Sequence, residues 1–281
     1  MSCSPKISDN SYTCYTLKEL QNIARNYNKE KNKSIIKLNL PKKELWNKLI
    51  EVNYDKCSNN EYCWLKQNYM KINSKNISEL KENFRPDKPE EWKDDPDKWL
   101  NTYNILNVMK QYEDKYKNFK FVGVFPIDFM TKIDGSCVSK KMCSLNLNDM
   151  IKKKITKIGF IFNLDKHYQS GSHWVSLFMN LNKNNKNYGA YYYDSNGTPP
   201  PIEIKNYIKI VKNKLNKNDN KFKFKFNKKR HQYSNSECGM FSLYFMNESL
   251  KNVSFEEFIN NKKINDKFVF KLRDKYYNKT K

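Results

Sequence analysis

The sequence predicts an α+β protein: a mixed central β-sheet flanked by helices, with a small helical arm ahead of it. Three observations carry this. Short runs rich in aromatic and β-branched residues are interspersed with longer segments whose apolar residues recur at i, i+3 and i+4. Tryptophan (5), tyrosine (19) and phenylalanine (17) make up 15% of the 281 residues, far more aromatic material than a disordered chain carries. The proline-rich, acidic stretch at residues 84–99 (FRPDKPEEWKDDPDKW) interrupts an otherwise basic chain. It marks a boundary, so residues 1–83 read as a helical accessory arm and residues 84–281 as the core domain.

In the arm, Thr16-Leu17-Lys18-Glu19 has the pattern of a capping box, and Leu17, Leu20, Ile23, Ala24 and Tyr27 follow at helical spacing. Pro41 can open a second helix with Leu45, Trp46, Leu49 and Ile50 on its apolar face. Two short helices joined by a polar loop resemble the SAP-type DNA-binding hairpin; a plain helical arm is the alternative. Past the boundary, TYNILNVMKQY is helical, with Ile105, Val108, Met109 and Tyr112 on one face, and FKFVGVFPIDF is strand-like up to Pro126. IGFIFNL, HWVSLFMNL and YGAYYYD read as buried strands, the last two joined by a polar loop (182–187) as a hairpin. After three prolines, Ile204, Tyr207, Ile208, Val211 and Leu215 mark a helix. KFKFKF (221–226) alternates strictly, which suits a sheet edge faced with lysine. A helix beginning near Cys238, a capping-box pattern at Ser254 and Glu257, and a C-terminal helix complete the chain.

The net charge of +23 comes from 53 basic against 30 acidic residues, and only Arg25, Arg85, Arg230 and Arg273 among the basic ones are arginine. Asparagine is about as common as lysine, at 40, and alanine occurs twice, at Ala24 and Ala190. That usage follows AT-rich coding more than selection for phosphate recognition, which favours arginine forks. Non-specific attraction to DNA or another polyanion is still a physical consequence of the charge. No apolar stretch approaches the ~18 residues of a membrane span, and the N-terminus lacks the apolar core of a signal peptide. Seven cysteines, with Cys57/Cys63 and Cys137/Cys143 spaced more widely than common zinc knuckles, suggest a reduced intracellular protein with free thiols and no metal.

Three histidines are few enough to weigh singly. His167 and His231 lie in polar sequence surroundings. His173 enters a buried strand and Asp194 ends the next one, so the two can meet at one edge of the sheet, where a carboxylate fixes the tautomer of an imidazole. Cys238 follows a run of N-cap candidates, Ser234-Asn235-Ser236-Glu237, and should lie in the first turn of a buried helix, where the dipole favours thiolate. Gln232 is a neutral donor able to support an oxyanion, and Gly239 lets backbone approach a substrate. Each of these has a structural reading when taken alone: a buried thiol, a hydrogen-bonded histidine, a turn aspartate.

The order His–Asp–Gln–Cys, in GSHWVSLFMN, YYYDSNG and HQYSNSECGMFSLYF, resembles the adenovirus-protease and SUMO-protease superfamily of cysteine proteases. Within that superfamily the likeness is strongest to the polyprotein-processing proteases of large DNA viruses, and runs from about Trp92 to near the C-terminus. The resemblance implies that Cys238 is the nucleophile, His173 the general base and acid, Asp194 the residue orienting His173, and Gln232 the oxyanion donor. Asp194 agrees with SUMO proteases and departs from the viral pattern, which has asparagine there. Trp174 and Trp99, the latter in a string similar to the SUMO-protease WLND element but with Thr102 in place of its aspartate, match the aromatic pair that encloses a Gly-Gly tail. The implied activity is cleavage of structural polyproteins after Gly-Gly during virion maturation, in the virion and the viral factory of the host cytoplasm, without a cofactor. Removal of SUMO or ubiquitin from host proteins, acetyl transfer, and non-catalytic DNA packing are the alternatives. The seven glycines include no adjacent pair, so the chain is not expected to process itself by that rule.

Overall fold

A computed structural model describes residues 3–8, 10–71, 74–216 and 220–278. The chain divides into two units, Met1–Lys88 with Lys275–Lys281, and Pro89–Asp274. The division falls a few residues after the expected start of the core at 84, and the C-terminal segment joins the first unit where the sequence reading kept it in the core. Asn278 makes this join: its backbone N–H donates to the Pro86 carbonyl at 2.8 Å and its Nδ2 to the Arg85 carbonyl at 2.5 Å.

The first unit is helical. Helix α1 (Leu17–Lys31) opens on the full capping box of Thr16 and Glu19, and α2 (Lys42–Cys57) starts after Pro41. Short helices α3 (Glu61–Trp64), α4 (Asn68–Lys71) and α5 (Ser74–Lys81) follow. Leu20, Ile23 and Ala24 of α1 bury against Leu45 and Leu49 of α2, with Trp64, Tyr69 and Phe84 in the same core. Disulfides Cys3–Cys14 and Cys57–Cys63 pin this unit, and Cys137–Cys143 lies in the second. The expectation of free thiols therefore fails for six of the seven cysteines. Their Cα atoms stand 5.3, 5.5 and 6.6 Å apart, within bridging range, because turns fold each pair back on itself. Cys238 alone is free.

The second unit carries the sheet. Helix α6 (Thr102–Lys115) leads into β1 (Phe119–Pro126); β2 (Lys132–Ile133) and β3 (Ser136–Cys137) form a small ribbon. Helices α7 (Lys140–Cys143) and α8 (Leu147–Lys152) precede β4 (Lys157–Asn163), β5 (Trp174–Asn180) and β6 (Gly189–Tyr193). Helix α9 (Ile202–Asn216), β7 (Lys223–Phe226), α10 (Cys238–Leu250), α11 (Phe255–Asn260) and α12 (Asp266–Lys271) complete it.

The five-stranded sheet has the order β1-β4-β5-β6-β7. The β4–β5 and β5–β6 pairs are antiparallel, and both outer pairs are parallel. Period-two alternation along β5 sorts its two faces. Val175, Leu177 and Met179 join Ile204, Tyr207, Ile208 and Val211 of α9 in one core. On the opposite face Ser176 reaches the Ser242 carbonyl of α10 at 3.5 Å. The lysine-faced strand β7 is at an edge, as its alternation implied.

Gly189 fixes the register of that edge. Its φ is +151°, and a Cβ there would lie 2.4 Å from the backbone carbonyl oxygen of Lys223. Gly189→Ala is therefore expected to destabilise the protein by at least about 2 kcal/mol, since neither backbone can move without breaking the β6–β7 ladder. Thermal unfolding checks this; a melting temperature within about a degree of wild type contradicts the strained contact.

Candidate active site

Strand β5 begins at Trp174 and β6 ends at Tyr193, so His173 and Asp194 are the residues just outside a hairpin that pairs Ser176 with Tyr193. His173 Nε2 meets Asp194 Oδ1 at 2.7 Å, with side chains 13% and 1% exposed. Cys238 is near enough to His173 to help raise its pKa. With Nε2 committed to the carboxylate, Nδ1 is the ring nitrogen left for the thiol. Desolvation alone lowers the His173 pKa, but its hydrogen bond to Asp194, the nearby Cys238 and their charges outweigh burial and push it up to about 9. The imidazole is thus protonated at neutral pH, beside a thiol and a carboxylate in a water-poor site where such interactions are strong.

Other residues hold Asp194 in place. Asn196 donates its backbone N–H to Oδ1 at 2.8 Å. Buried Asn227 clamps the backbone on both sides, accepting from the Asp194 N–H at 3.0 Å and donating to its carbonyl at 2.6 Å. Asn227 is one of 40 asparagines, and nothing in the sequence separates it from the rest.

Cys238 is 1% exposed and is the first residue of α10. The Ser234-Asn235-Ser236 run does not cap this helix. Glu237 holds the N-cap position without a side-chain cap bond, because its carboxylate is occupied by Arg273. Gln232 is buried, its Oε1 accepting from Ser195 Oγ at 2.6 Å and its Nε2 donating to the Ser234 carbonyl at 2.8 Å. The amide is thus fixed in plane with one N–H to spare. Ser195, next to Asp194, also accepts the backbone N–H groups of His231 and Gln232 at its carbonyl, at 2.8 and 3.0 Å.

His231 is not in polar surroundings. It is 3% exposed among Tyr193 and Phe258, which lowers its pKa, and it bridges the Tyr193 hydroxyl and the Ile259 carbonyl at 3.0 Å each. His167 pairs instead with Asp128, its Nδ1 2.6 Å from Oδ2.

Trp174 and Trp99 both line a cavity of about 700 Å³, with Leu100, Asn163, His167 and Gly171 among its walls. Trp174 is 7% exposed and donates its Nε1–H to the Leu100 carbonyl at 2.8 Å, whereas Trp99 is 40% exposed. Gly239 does not open space for a substrate. A Cβ on it would sit 3.0 Å from Leu100 Cβ and 3.2 Å from Trp174 Cδ1, so protein side chains already fill the space beside it. Its missing Cβ lets α10 seat against Leu100 and Trp174.

Similarity to known proteins places the chain in a family. The Ulp1 protease family, C-terminal catalytic domain, matches residues 98–281. A putative thiol protease of Acanthamoeba polyphaga mimivirus is 30% identical over 285 residues, covering 92% of this chain and 87% of that protein. A SUMO-1 cysteine protease of African swine fever virus (isolate Tick/South Africa/Pretoriuskop Pr4/1996) is 26% identical over 182 residues, covering 62% and 66%. The crystal structure of the African swine fever virus protease covers 100% of this chain and 96% of its own with a TM-score of 0.72; at 20% identity, that likeness is one of fold.

The raised His173 pKa gives a pH dependence with a definite sign. It lies above the ordinary value of 6.5, so the stabilisation it brings is complete below about pH 6.5 and is lost as pH rises through about 9. Asp194→Asn keeps a hydrogen-bond acceptor but removes the charge. The alkaline limb of kcat/KM, near pH 9 in wild type, should then move down by about one unit. A pH–rate profile checks this, and an unmoved limb contradicts the role of Asp194.

Proposed function

The chain belongs to the Ulp1 protease family, and from that premise we propose that it is a viral endopeptidase cutting structural polyproteins after Gly-Gly during virion maturation. The peptidase class itself is established: the protein is a cysteine-type hydrolase. The observation that carries the proposal is the single free thiol at the start of a helix, beside a histidine whose Nε2 meets a buried aspartate.

In the mechanism this supports, His173 holds the Cys238 proton and the thiolate attacks the scissile carbonyl. The spare N–H of Gln232, with backbone N–H groups at the start of α10, stabilises the tetrahedral oxyanion. Imidazolium then protonates the leaving amine, and water, deprotonated by His173, hydrolyses the thioester. Asp194 orients the ring and offsets its charge throughout. Trp99 and Trp174 line one cavity, and the specificity reading has these two indoles close over the tail, a closure that only glycine, without a Cβ, fits. The net charge of +23 adds salt-sensitive association with nucleic acid in the virion and the viral factory. Removal of SUMO from host proteins is the second reading, favoured by the name of the swine fever virus relative.

Three outcomes are expected. Cys238→Ala should abolish cleavage of Gly-Gly peptides while the protein stays folded by circular dichroism; turnover at the wild-type rate would refute the mechanism. Gln232→Ala should lower kcat by about 10²–10³ with little change in KM, the size of one lost oxyanion donor; a change confined to KM would exclude that role. In a peptide panel, alanine in place of either glycine should reduce kcat/KM more than about tenfold. Equal cleavage of Ala-Ala peptides would remove the specificity proposal, and preference for intact SUMO conjugates over Gly-Gly peptides would favour the second reading.

A further inference from the structure

Arginine is rare in this chain, at four of 53 basic residues, yet two of the four lie against the candidate site. Arg230 donates Nε–H to the Gln232 carbonyl at 2.5 Å. Arg273 does more. It is buried, stacked 4.2 Å from the Trp92 ring centroid, and its Nη2 meets Glu237 Oε1 at 2.6 Å while Nε reaches Oε2 at 3.2 Å. The same guanidinium donates from Nη1 to the Lys98 carbonyl at 2.9 Å and from Nη2 to the Asp97 carbonyl at 3.4 Å.

These partners occupy telling positions. Glu237 immediately precedes Cys238, and Asp97 and Lys98 immediately precede Trp99. The Trp99 indole is 40% exposed and, among the described residues, makes no hydrogen bond or ring contact, so the backbone before it is one of the few anchors that bear on where the ring stands. Burying an ion pair is costly, and packing alone could join these segments more cheaply. What only a guanidinium offers is a rigid fork serving one carboxylate and two carbonyls at once. A lysine, the cation this chain otherwise uses, could hold the charge of Glu237 but not all of these bonds.

We propose that Arg273 is a positioning residue that bridges the helix start carrying Cys238 to the backbone carrying Trp99, and so sets the width of the channel for the Gly-Gly tail. The proposal rests on the protease reading above, with Cys238 as nucleophile and Trp99 as a channel wall. The bridge acts on selectivity: a wall freed by about an ångström admits a methyl group and holds the tail less well.

The test compares wild type with Arg273→Lys on peptides carrying Gly-Gly or Ala-Gly before the scissile bond, together with the rate of Cys238 alkylation by iodoacetamide. Lysine keeps the charge beside Glu237 and loses the bonds to the Lys98 and Asp97 carbonyls. The expected result is a Gly-Gly over Ala-Gly preference at least about fivefold weaker, with KM for the Gly-Gly peptide raised more than kcat is lowered, and alkylation within about twofold of wild type. A merely structural role would lower the melting temperature and leave the preference ratio unchanged, because that ratio does not depend on how much enzyme is folded. A wild-type ratio in Arg273→Lys therefore overturns the bridge while leaving the protease reading intact. No cleavage or no preference in wild type overturns the protease or specificity reading, and the bridge with it. If Arg273→Lys does not fold, Trp92→Phe, which shrinks the ring under the guanidinium, is put to the same two measurements and judged by the same two results.

Discussion

Helix α10 lies on strand β5 with only a glycine hydrogen to spare. A Cβ at Gly239 would press on both Trp174 and Leu100, so the helix start and the strand start are held together at van der Waals distance. Cys238 is one residue from this contact on the helix side and His173 one residue from it on the strand side. The meeting of thiol and imidazole follows from that packing. The antiparallel β5–β6 register then brings Asp194 to the far nitrogen of the same ring. The arrangement of thiol, imidazole and carboxylate is a by-product of how closely one helix can approach one sheet, and the glycine at the contact sets the distance.

Around that contact, buried polar side chains fall into two groups that meet at neighbouring residues. The inner one is Cys238, His173 and Asp194; the outer one is Glu237 with Arg273. Desolvation pushes the Glu237 carboxyl up, and the guanidinium offsets only part of that, leaving it raised. In the proposed mechanism that pairing matters, because Glu237 sits one residue from the thiol and an uncompensated negative charge there opposes thiolate formation. The many surface lysines contribute little to this local balance, since solvent screens them. The large net charge and the site chemistry are thus largely separate properties of the chain.

Much of this was legible in the sequence because the informative signals were local. The hairpin placing His173 and Asp194 was visible from two apolar runs and a short polar loop, and the helix at Cys238 from the apolar run after it. Capping at Thr16 and the edge position of KFKFKF were equally local. What escaped were contacts made across long separations. Arg273 reaches Lys98 across 175 residues, and Asn227 reaches Asp194 across 33; both use residue types without a distinguishing pattern around them. The disulfides carry no local pattern of their own: the spacing of each pair does not distinguish bridge from free thiols, and the turns that fold each pair back on itself are tertiary facts. His231 misled because the lysines and arginine before it are on the surface while the histidine itself turns inward. Gly239 misled in its purpose, since the space beside it belongs to Trp174 and Leu100.

The central claim is that Cys238, activated by His173, forms a thioester with a glycine-terminated acyl group. The most direct measurement treats the native protein with a peptide ending in a Gly-Gly electrophile that reacts only with an aligned thiolate, then locates the adduct by mass spectrometry of the digested chain. The account predicts one adduct, on Cys238, which disappears in His173→Ala although the thiol is still present. Labelling at another residue, or undiminished labelling of Cys238 without His173, would contradict it.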